Sequence, residues 1–383
     1  MQSIPVAATG PSYLFTAPGT MTRRIPGFHS ETAFSFPDSL SPEIIRVCAY
    51  HDTKRDVTVV WFPEHTHQAL RNGHSLRPPK SALALGQLSQ LPLELLQHVL
   101  LNLDMATLFR FRHTSASARQ AVDSLREYRI VTTYAMNAFC ALIRTHLASR
   151  VTLLNFYNLL CDKQCATCTS FGSLVHLPSW TRCCPPCLDC SHNPSLQMLN
   201  VTEVKRPFKL SKRSLAALPV FKNLPGNYQW GSRKKFKKPT SLISLDCAEE
   251  AFLKEHPGED SPYSMEWFER DALRWRDNNN IWCAMACCAM PFYSPQSDKA
   301  CPGYTCAGCM LARDEFRSQS RADSLDCAVI GSHVHSEESF LKHFAWCEYA
   351  QRLWVSSDGG TKEPPDLPFW SKVSHSLIFA YSC

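Results

Sequence analysis

Residues Leu88–Tyr128 read LSQLPLELLQHVLLNLDMATLFRFRHTSASARQAVDSLREY and carry the strongest structural signal in the chain. Apolar residues recur close to the 3.6-residue period of a helix. Pro92 suits a first helical position, and Asp104 and Ser115 can cap a second and a third helix. The stretch therefore predicts three short helices that carry more apolar surface than they can bury against one another. A unit of about forty residues buries little surface alone, so it should dock on something.

Eleven residues of this stretch resemble the F-box: Leu91, Pro92, Glu94, Leu95, Val99, Leu103, Asp104, Leu108, Arg112, Thr114 and Ser115. In that family the helices bind the Skp-type adaptor of a cullin-based ubiquitin ligase, and the rest of the chain selects the protein to be ubiquitinated. The resemblance implies adaptor contacts from Leu91, Pro92, Glu94, Leu95, Val99, Leu103 and Leu108. It also implies that this chain performs no catalysis itself.

The composition is that of a folded protein in a reducing compartment. The 383 residues are 44% apolar and 11% aromatic, enough for a sizeable core. The 40 basic and 34 acidic residues give a net charge of +6, which indicates no large field of one sign. The 19 cysteines are odd in number and clustered, unlike a disulfide framework. With neither a signal peptide nor a membrane-spanning stretch in view, we expect a soluble protein of the cytoplasm or nucleus.

Four regions follow from the pattern along the chain. Residues 1–85 are rich in Pro, Ser, Thr and Gly and predict a largely irregular, disordered arm, with one β-like island at Val57–Phe62. The F-box occupies 86–130, and a helical, cysteine-rich body follows at 131–355, with helices expected at 130–160, 245–253 and 265–290. Residues 356–383 form a C-terminal tail that begins as a linker.

The first cysteine group has the spacing of a zinc site. Cys165 and Cys168 are separated by two residues, and Cys184 and Cys187 repeat that gap after fifteen residues. Tight turns of this kind direct two sulfurs each at one ion, and four thiolates favour a closed, structural Zn²⁺ site. The neighbouring residues Cys161, Cys183, Cys190 and His192 are alternative ligands. Burial of the cysteines as small apolar residues is the competing interpretation.

The second group combines a cysteine pair with a predicted helix. Cys306 and Cys309 are separated by two residues, and His343 and Cys347 lie four apart in SEESFLKHFAWCEYAQRLW, which Ser336 can cap. If that run is one helix, His343 and Cys347 share a face and complete a second zinc site. Alternative ligands are Cys301, Cys327, His333 and His335. A histidine packed in the core is the competing interpretation for His343.

The middle and end of the chain resemble a recurring fungal F-box architecture. The elements that carry the resemblance are the F-box itself, LCDKQCATC, RCCPPCL, LPVFKNLPGNYQW, CPGYTCAGC and FLKHFAWCEYAQRLW. The predicted fold is therefore mainly α: a disordered N-terminal arm, a three-helix F-box, and an α-rich body held by one or two structural zinc ions. No leucine-rich, propeller or kelch repeat follows the F-box, so the target protein is not identified.

Two other functions compete with that of a ligase receptor. One is a zinc-stabilised nucleic-acid binder or general interaction module, in which Arg233, Lys234, Lys235, Lys237 and Lys238 contact phosphates and Phe236 stacks on a base. The modest net charge favours a solvated loop instead. The other is a Cys/His hydrolase, for which the chain has no distinguishing motif. We expect neither nucleic acid nor membrane as a partner.

Overall fold

Helices dominate the part of the chain that the computed structural model describes, which is residues 30–72, 85–190, 195–205, 208–230, 232–259, 281–316, 332–365 and 367. The helices are α1 Ser41–Cys48, α2 Thr53–Asp56, α3 Glu64–Asn72, α4 Leu93–Asn102, α5 Met105–Arg112, α6 Ala116–Ser124, α7 Arg126–Tyr134, α8 Met136–Arg144, α9 Leu153–Leu160, α10 Pro185–Cys190, α11 Val201–Val204, α12 Lys212–Ala217, α13 Leu245–Glu255, α14 Ala307–Phe316, α15 Glu337–Phe344 and α16 Glu348–Ser356. The mainly helical fold class is thus confirmed.

Short antiparallel strands complete the fold. They are β1 Ala49–Tyr50, β2 Leu174–His176, β3 Thr181–Cys183, β4 Met198–Asn200, β5 Phe221–Lys222, β6 Gly226–Trp230, β7 Ser232–Phe236, β8 Ser241–Ser244, β9 Cys287–Ala289, β10 Phe292–Ser294, β11 Lys299–Cys301 and β12 Thr305–Cys306. They pair in the orders β3-β2-β9, β4-β8-β5, β6-β7, β10-β11 and β1-β12. None exceeds five residues, so the sheets connect segments instead of forming a layer of their own.

Buried apolar side chains fall into three clusters. The largest is shared by helices α4–α9 and the sheet β3-β2-β9, so the F-box helices are continuous with the body. The second is formed by α1, β1, β12 and α14–α16. The third lies between β4, β8, α11 and α13. The two metal-ligand groups of the sequence lie one in each of the first two clusters.

The predicted helix caps are present. The Asp104 carboxylate accepts a hydrogen bond from the Thr107 backbone N–H at 2.9 Å, and the Ser115 hydroxyl accepts one from Ala118 at 3.0 Å. Ser336 accepts one from Ser339 at 3.2 Å at the start of α15. Each cap satisfies one backbone donor that lacks a partner within the helix. Helix α4 begins at Leu93, one residue later than the predicted start at Pro92.

The N-terminal region is more ordered than the sequence suggested. Residues 1–29 lie outside the described residues, but 41–50 form α1 and β1, and β1 pairs with β12 through Ala49↔Cys306. The side chains of Ile44 and Cys48 are completely buried in the second cluster. The prediction of a largely irregular arm to residue 85 was therefore wrong for this part. The apolar residues of α1 contact segments more than 250 residues away, and a pattern read locally does not reveal such contacts.

Three other predictions need correction. The β-like island at 57–62 makes only one bridge, a parallel one between Val60 and Cys288. Within the expected helix 265–290, residues up to 280 lie outside the described residues, residues 281–285 are helical as predicted, and Cys287–Ala289 is instead a strand that pairs with β2. The run after Ser336 is two helices, because α15 ends at Phe344 and α16 begins at Glu348.

Replacing Ile44 by alanine should destabilise the second cluster by about 2–5 kcal/mol, because the deletion leaves a cavity in a packed core. Denaturant unfolding of the full chain measures this. Val57→Ala is the matched control, since Val57 is exposed in the same N-terminal region and its change should be within about 0.5 kcal/mol. Equal stability of the two variants would mean that α1 does not belong to the folded body.

Candidate functional site

Helix α4 and the turn before it present an apolar surface to solvent. Leu91, Leu93, Leu95 and Val99 are 38%, 57%, 55% and 46% exposed, and Leu88 is 38% exposed. We call these five residues the α4 face. Four or five neighbouring exposed apolar side chains are unusual on a surface that contacts only water and typically mark an interaction site.

The opposite side of α4 is anchored in the body. Leu96 and Leu100 are buried in the largest cluster, which also contains Leu153 and Phe156 of α9. The chain after α4 is held by the backbone as well, since Leu153 N–H donates to the Leu103 carbonyl at 3.1 Å. The helix is therefore fixed in orientation, and its remaining apolar side points outward.

A bidentate ion pair joins the next two helices. Arg112 of α5 donates two hydrogen bonds to the Asp123 carboxylate of α6, at 2.7 and 3.1 Å. The Arg112 side chain is buried, whereas that of Asp123 is 41% exposed. The guanidinium also lies 5.8 Å from the centre of the Tyr128 ring. Bidentate geometry makes such a pair more specific than a single surface contact, and it holds α5 and α6 together.

The residues expected to contact an adaptor do not all lie on one surface. Pro92 and Glu94 are exposed beside the α4 face, and Leu103 is half-buried at the C-terminal end of α4. Leu108 is completely buried in the largest cluster, so its side chain is not available to a partner in this structure. The pattern placed Leu108 on a helix correctly but did not show which side of that helix faces the core.

The first cysteine group is assembled as one cluster. The Sγ atoms of Cys165, Cys168, Cys184 and Cys187 all lie within 4.8 Å of one another, and those of Cys168 and Cys184 are 3.4 Å apart. Tetrahedral zinc with Zn–S bonds of 2.3 Å requires sulfur–sulfur separations of about 3.8 Å. The donor set and its spacing therefore fit one tetrahedral ion.

The backbone around this cluster is shaped by tight turns. The Cys165 N–H donates to the Ser170 carbonyl at 2.7 Å, and Thr169 between them has φ = +60°. The Cys187 N–H points at the Cys184 sulfur, 3.4 Å away, as α10 begins. A backbone N–H directed at a sulfur stabilises the thiolate form. The pairs thus present their sulfurs on the inner side of two turns.

Electrostatics in the first cluster favour a bound cation. The pKa of the Cys184 thiol is raised above its ordinary range by its contacts with the other sulfurs, Cys165 first, and by burial. Several thiolates this close repel one another, so the group cannot be fully deprotonated on its own. A divalent cation removes that repulsion and holds coordinating thiols in the deprotonated form.

The second group is also assembled. The ligand atoms of Cys306, Cys309, His343 and Cys347 lie within 4.8 Å of one another, and all four residues are buried. The sulfurs of Cys306 and Cys347 are 3.8 Å apart, and His343 Nε2 is 3.2 Å from the Cys309 sulfur. Burial raises the pKa of Cys309, and the contact with Cys306 raises it further. Three sulfurs and an imidazole nitrogen are a common closed zinc set.

The break between α15 and α16 is what completes this second cluster. Cys347 caps α16 with extended backbone, whereas His343 lies in the last turn of α15. Gly308 allows the approach of α16, because a Cβ at that position would lie 2.2 Å from the Ala350 nitrogen. The sequence predicted the two ligands correctly as neighbours but attributed their proximity to one continuous helix.

The alternative ligands stand apart from both clusters. Among the described residues the only groups assembled for a metal are the two above, which excludes Cys161, Cys183, Cys301, His333 and His335 from them. The ring of His335 instead stacks on His343 at 4.8 Å, as a neighbour of the cluster. Cys327, His192 and the side chain of Cys190 lie outside the described residues.

A buried arginine beside the first cluster was not predicted. Arg182 in β3 is 1% exposed, and its guanidinium donates to five backbone carbonyls, those of Leu159, Leu160, Gly172, Met290 and Pro291, at 2.6–3.3 Å. Burial lowers its pKa to about 10, which leaves it protonated at neutral pH. Nothing in the sequence distinguishes this arginine from a surface one.

Arg182 connects α9, the cysteine loop and the strand region after β9. Its own carbonyl accepts the Ala166 N–H at 2.9 Å, between the two ligands Cys165 and Cys168. Gly172, whose carbonyl it binds, leaves no room for a side chain, because a Cβ there would lie 2.9 Å from the Arg182 Cβ.

The basic run is an ordered hairpin. Lys234 and Lys235 lie in β7, which pairs with β6, and Lys237 and Lys238 follow directly. The Phe236 ring packs against those of Tyr228 and Trp282, with centroids 6.1 and 5.7 Å apart. Phe236 is therefore engaged in packing, and the expectation that it stacks on a base is not supported. The side chain of Arg233 lies outside the described residues.

Membrane insertion by a helix finds no support in the described residues, where no helix combines the length and apolar character needed to cross a bilayer.

Comparison with known proteins gives one match. Residues 88–130 match the F-box domain family. No curated protein and no solved structure matches the chain. F-box domains generally bind Skp-type adaptors and, through them, a cullin, and the match indicates no catalytic family. The chain therefore contains an F-box domain at residues 88–130, built from helices α4–α6 and the first turn of α7.

Proposed function

We propose that this protein is a substrate receptor of a cullin-based ubiquitin ligase, in which the α4 face binds the Skp-type adaptor and the metal-stabilised body holds a target protein. The single observation that carries the proposal is a solvent-exposed apolar face within the residues that match the F-box. Catalysis would be supplied by partner subunits, because holding a target near the ubiquitin-carrying enzyme raises its effective concentration.

The energetics of the α4 face suit protein binding. Complete burial of one leucine or valine side chain is worth about 1.5–3 kcal/mol, so a few of these residues can supply most of the free energy of a moderately tight complex. Leu93, Leu95 and Val99 are the most exposed and therefore gain most. Because α4 is anchored through Leu96 and Leu100, little ordering cost opposes binding.

We further propose that each cysteine cluster holds one structural Zn²⁺. Cys165, Cys168, Cys184 and Cys187 would be the ligands of the first ion, and the other four would bind the second: Cys306, Cys309, His343 and Cys347. Both donor sets are complete with four protein ligands, so no position is left for water or substrate. The role that fits is stabilisation of the fold, with no part in a reaction.

The adaptor proposal is tested by charge substitution on the α4 face. Leu95→Asp/Val99→Asp should lower the affinity for a purified Skp-type adaptor by at least about a hundredfold, because two carboxylates would be buried without partners. Leu253→Asp/Val355→Asp is the matched control: both residues are exposed leucine and valine on other helices, and their substitution should leave adaptor affinity unchanged.

Calorimetry or pull-down of the full chain with the adaptor measures the affinity, and circular dichroism verifies that both variants keep the helical content of the parent. Undiminished binding by the α4 variant would show that this face is not the adaptor site. Equal loss in both variants would mean that binding depends on surface charge in general.

A further inference from the structure

Positive charge is concentrated in one segment of the chain. Residues 204–245 contain eleven of the 40 lysines and arginines and none of the 34 acidic residues. The other residues have 29 basic and 34 acidic side chains and are net negative. The overall charge of +6 therefore conceals a segment of one sign that is much longer than the basic run at 233–238.

The C-terminal half of this segment carries exposed lysines on and beside the short strands β5 and β7. Lys234 and Lys235 lie opposite Tyr228 and Asn227 in the hairpin β6–β7, and both lysines are exposed. Lys237 and Lys238 are exposed just after β7. Lys222 is exposed in β5, opposite Ser241 of β8. We call these five lysines the basic surface.

Among the described residues, the five ammonium groups have no anionic partner. Some other surface lysines are paired, as in Lys163–Glu338 at 3.0 Å and Lys254–Glu250 at 2.7 Å. Within the described residues no carboxylate lies in ion-pair distance of Lys222, Lys234, Lys235, Lys237 or Lys238. Like charges held this close repel one another, so an external anion would stabilise the surface.

The hairpin also offers a free edge. Among the described strands β7 pairs only with β6, whereas the other side of β6 is contacted by residue 58, whose carbonyl accepts the Gln229 N–H at 3.2 Å. Lysines on an exposed edge prevent pairing with a second copy of the same strand. They do not prevent pairing with an extended acidic chain, which is a common form of peptide recognition.

Apolar side chains lie next to the hairpin. Val57, directly before the residue that contacts β6, and Trp61, three residues after it, are 44% and 46% exposed. Exposed tryptophan near the edge of a charged surface is typical of residues that contribute strongly to protein binding. The surface therefore combines cations, a strand edge and an aromatic anchor.

The aromatic residues within the segment do not suit nucleic acid. Phe208, Phe221 and Tyr228 are buried, and Phe236 packs against Trp282. Single-stranded nucleic acid is bound by exposed aromatic platforms together with cations, and the described aromatic side chains of this segment offer none. Carboxylates presented by an extended chain fit the combination of exposed lysines and a strand edge.

We propose that the basic surface docks an extended segment rich in Asp and Glu that belongs to a protein. The inference rests on the proposed function, since it supplies the charge class of the target that the receptor holds. It places target binding on the hairpin β6–β7, away from the α4 face.

The test uses the full-length protein and a fluorescent Glu-rich peptide followed by anisotropy, with a peptide of the same length in which Gln replaces Glu. Specific binding of the Glu peptide, weakened by salt, is expected. Reversal of the hairpin charges in Lys234→Glu/Lys235→Glu/Lys237→Glu/Lys238→Glu should reduce its affinity at least about tenfold. The control Lys254→Glu/Lys299→Glu/Lys342→Glu/Lys362→Glu makes the same change of net charge elsewhere and should retain binding.

Three results would overturn the inference: no binding of the Glu peptide, equal loss in the control variant, or tighter binding of a DNA duplex of comparable length than of the peptide. Each preparation is also tested for adaptor binding. If the protein binds the adaptor normally but not the Glu peptide, the inference about the hairpin is wrong and the proposed receptor function is unaffected. If adaptor binding is absent as well, the proposed receptor function itself is wrong.

Discussion

Replacing Cys184 by serine is expected to remove one of two equivalents of zinc and to unfold the region around the first cluster. Four thiolate ligands in a structural site contribute on the order of 10 kcal/mol in small zinc units, which is more than the whole stability of many domains. The Cys184 sulfur lies 3.4 Å from that of Cys168, at the centre of the set. Metal content by mass spectrometry and thermal unfolding measure the effect.

The matched control for this variant is Cys140→Ser. Cys140 is also completely buried in the largest cluster but lies in α8, outside both metal-ligand groups. Its substitution should leave two equivalents of zinc and cost only the burial of one hydroxyl, about 1–3 kcal/mol. A protein purified without zinc, or two equivalents retained by Cys184→Ser, would contradict the proposal for the first cluster.

Replacing Arg182 by methionine is expected to destabilise the body by at least about 3–5 kcal/mol. Methionine fills a similar volume but removes the guanidinium donor of five carbonyls, of which Leu159 also accepts the Asp162 N–H, and each unsatisfied buried polar group costs about 1–3 kcal/mol. The change also disturbs the contact between residue 182 and the cysteine loop. Urea unfolding, with the zinc stoichiometry measured in parallel, gives both readouts.

Arg150→Met is the control for this prediction, since Arg150 is exposed at the surface and its substitution should change stability by about 0.5 kcal/mol or less. If Arg182→Met were as stable as Arg150→Met, the carbonyls would have found other donors. The hydrogen bonds of the Arg182 guanidinium would then not be needed for the stability of the body. A stable variant with weakened zinc binding would assign Arg182 an electrostatic role alone.

The candidate site was predictable to the extent that it depends on short spacings. The two-residue gaps at Cys165 and Cys306 correspond to turns, and the structure brings each set together. His343 and Cys347 are also neighbours, but across a break between two helices and not within the single helix that the spacing predicted. The helix boundaries of the F-box followed in the same way, from caps such as Asp104. Such features are encoded within a few residues and need no knowledge of the rest of the fold.

The orientation of side chains was less predictable. Leu95 and Leu108 both match an F-box position, yet Leu95 is 55% exposed and Leu108 is completely buried. Periodicity assigns each to a helix but does not distinguish the side that packs on the chain itself from the side left for a partner. The charge of the segment 204–245 was readable in the sequence, but only its fold as a hairpin places Lys234 and Lys235 on a strand that pairs on one side alone among the described strands.

By itself the sequence determined the three helices of the F-box, the two sets of closely spaced Cys and His residues that could hold a metal ion, and the mainly helical class. Only the tertiary structure decided that β1 pairs with β12 across some 250 residues, that Arg182 lies buried among five carbonyls, and that α4 keeps one apolar side exposed. The physical reason is the range of the interactions. Caps, turns and helical periodicity are satisfied within one or two turns of chain, whereas burial depends on which distant segments pack together.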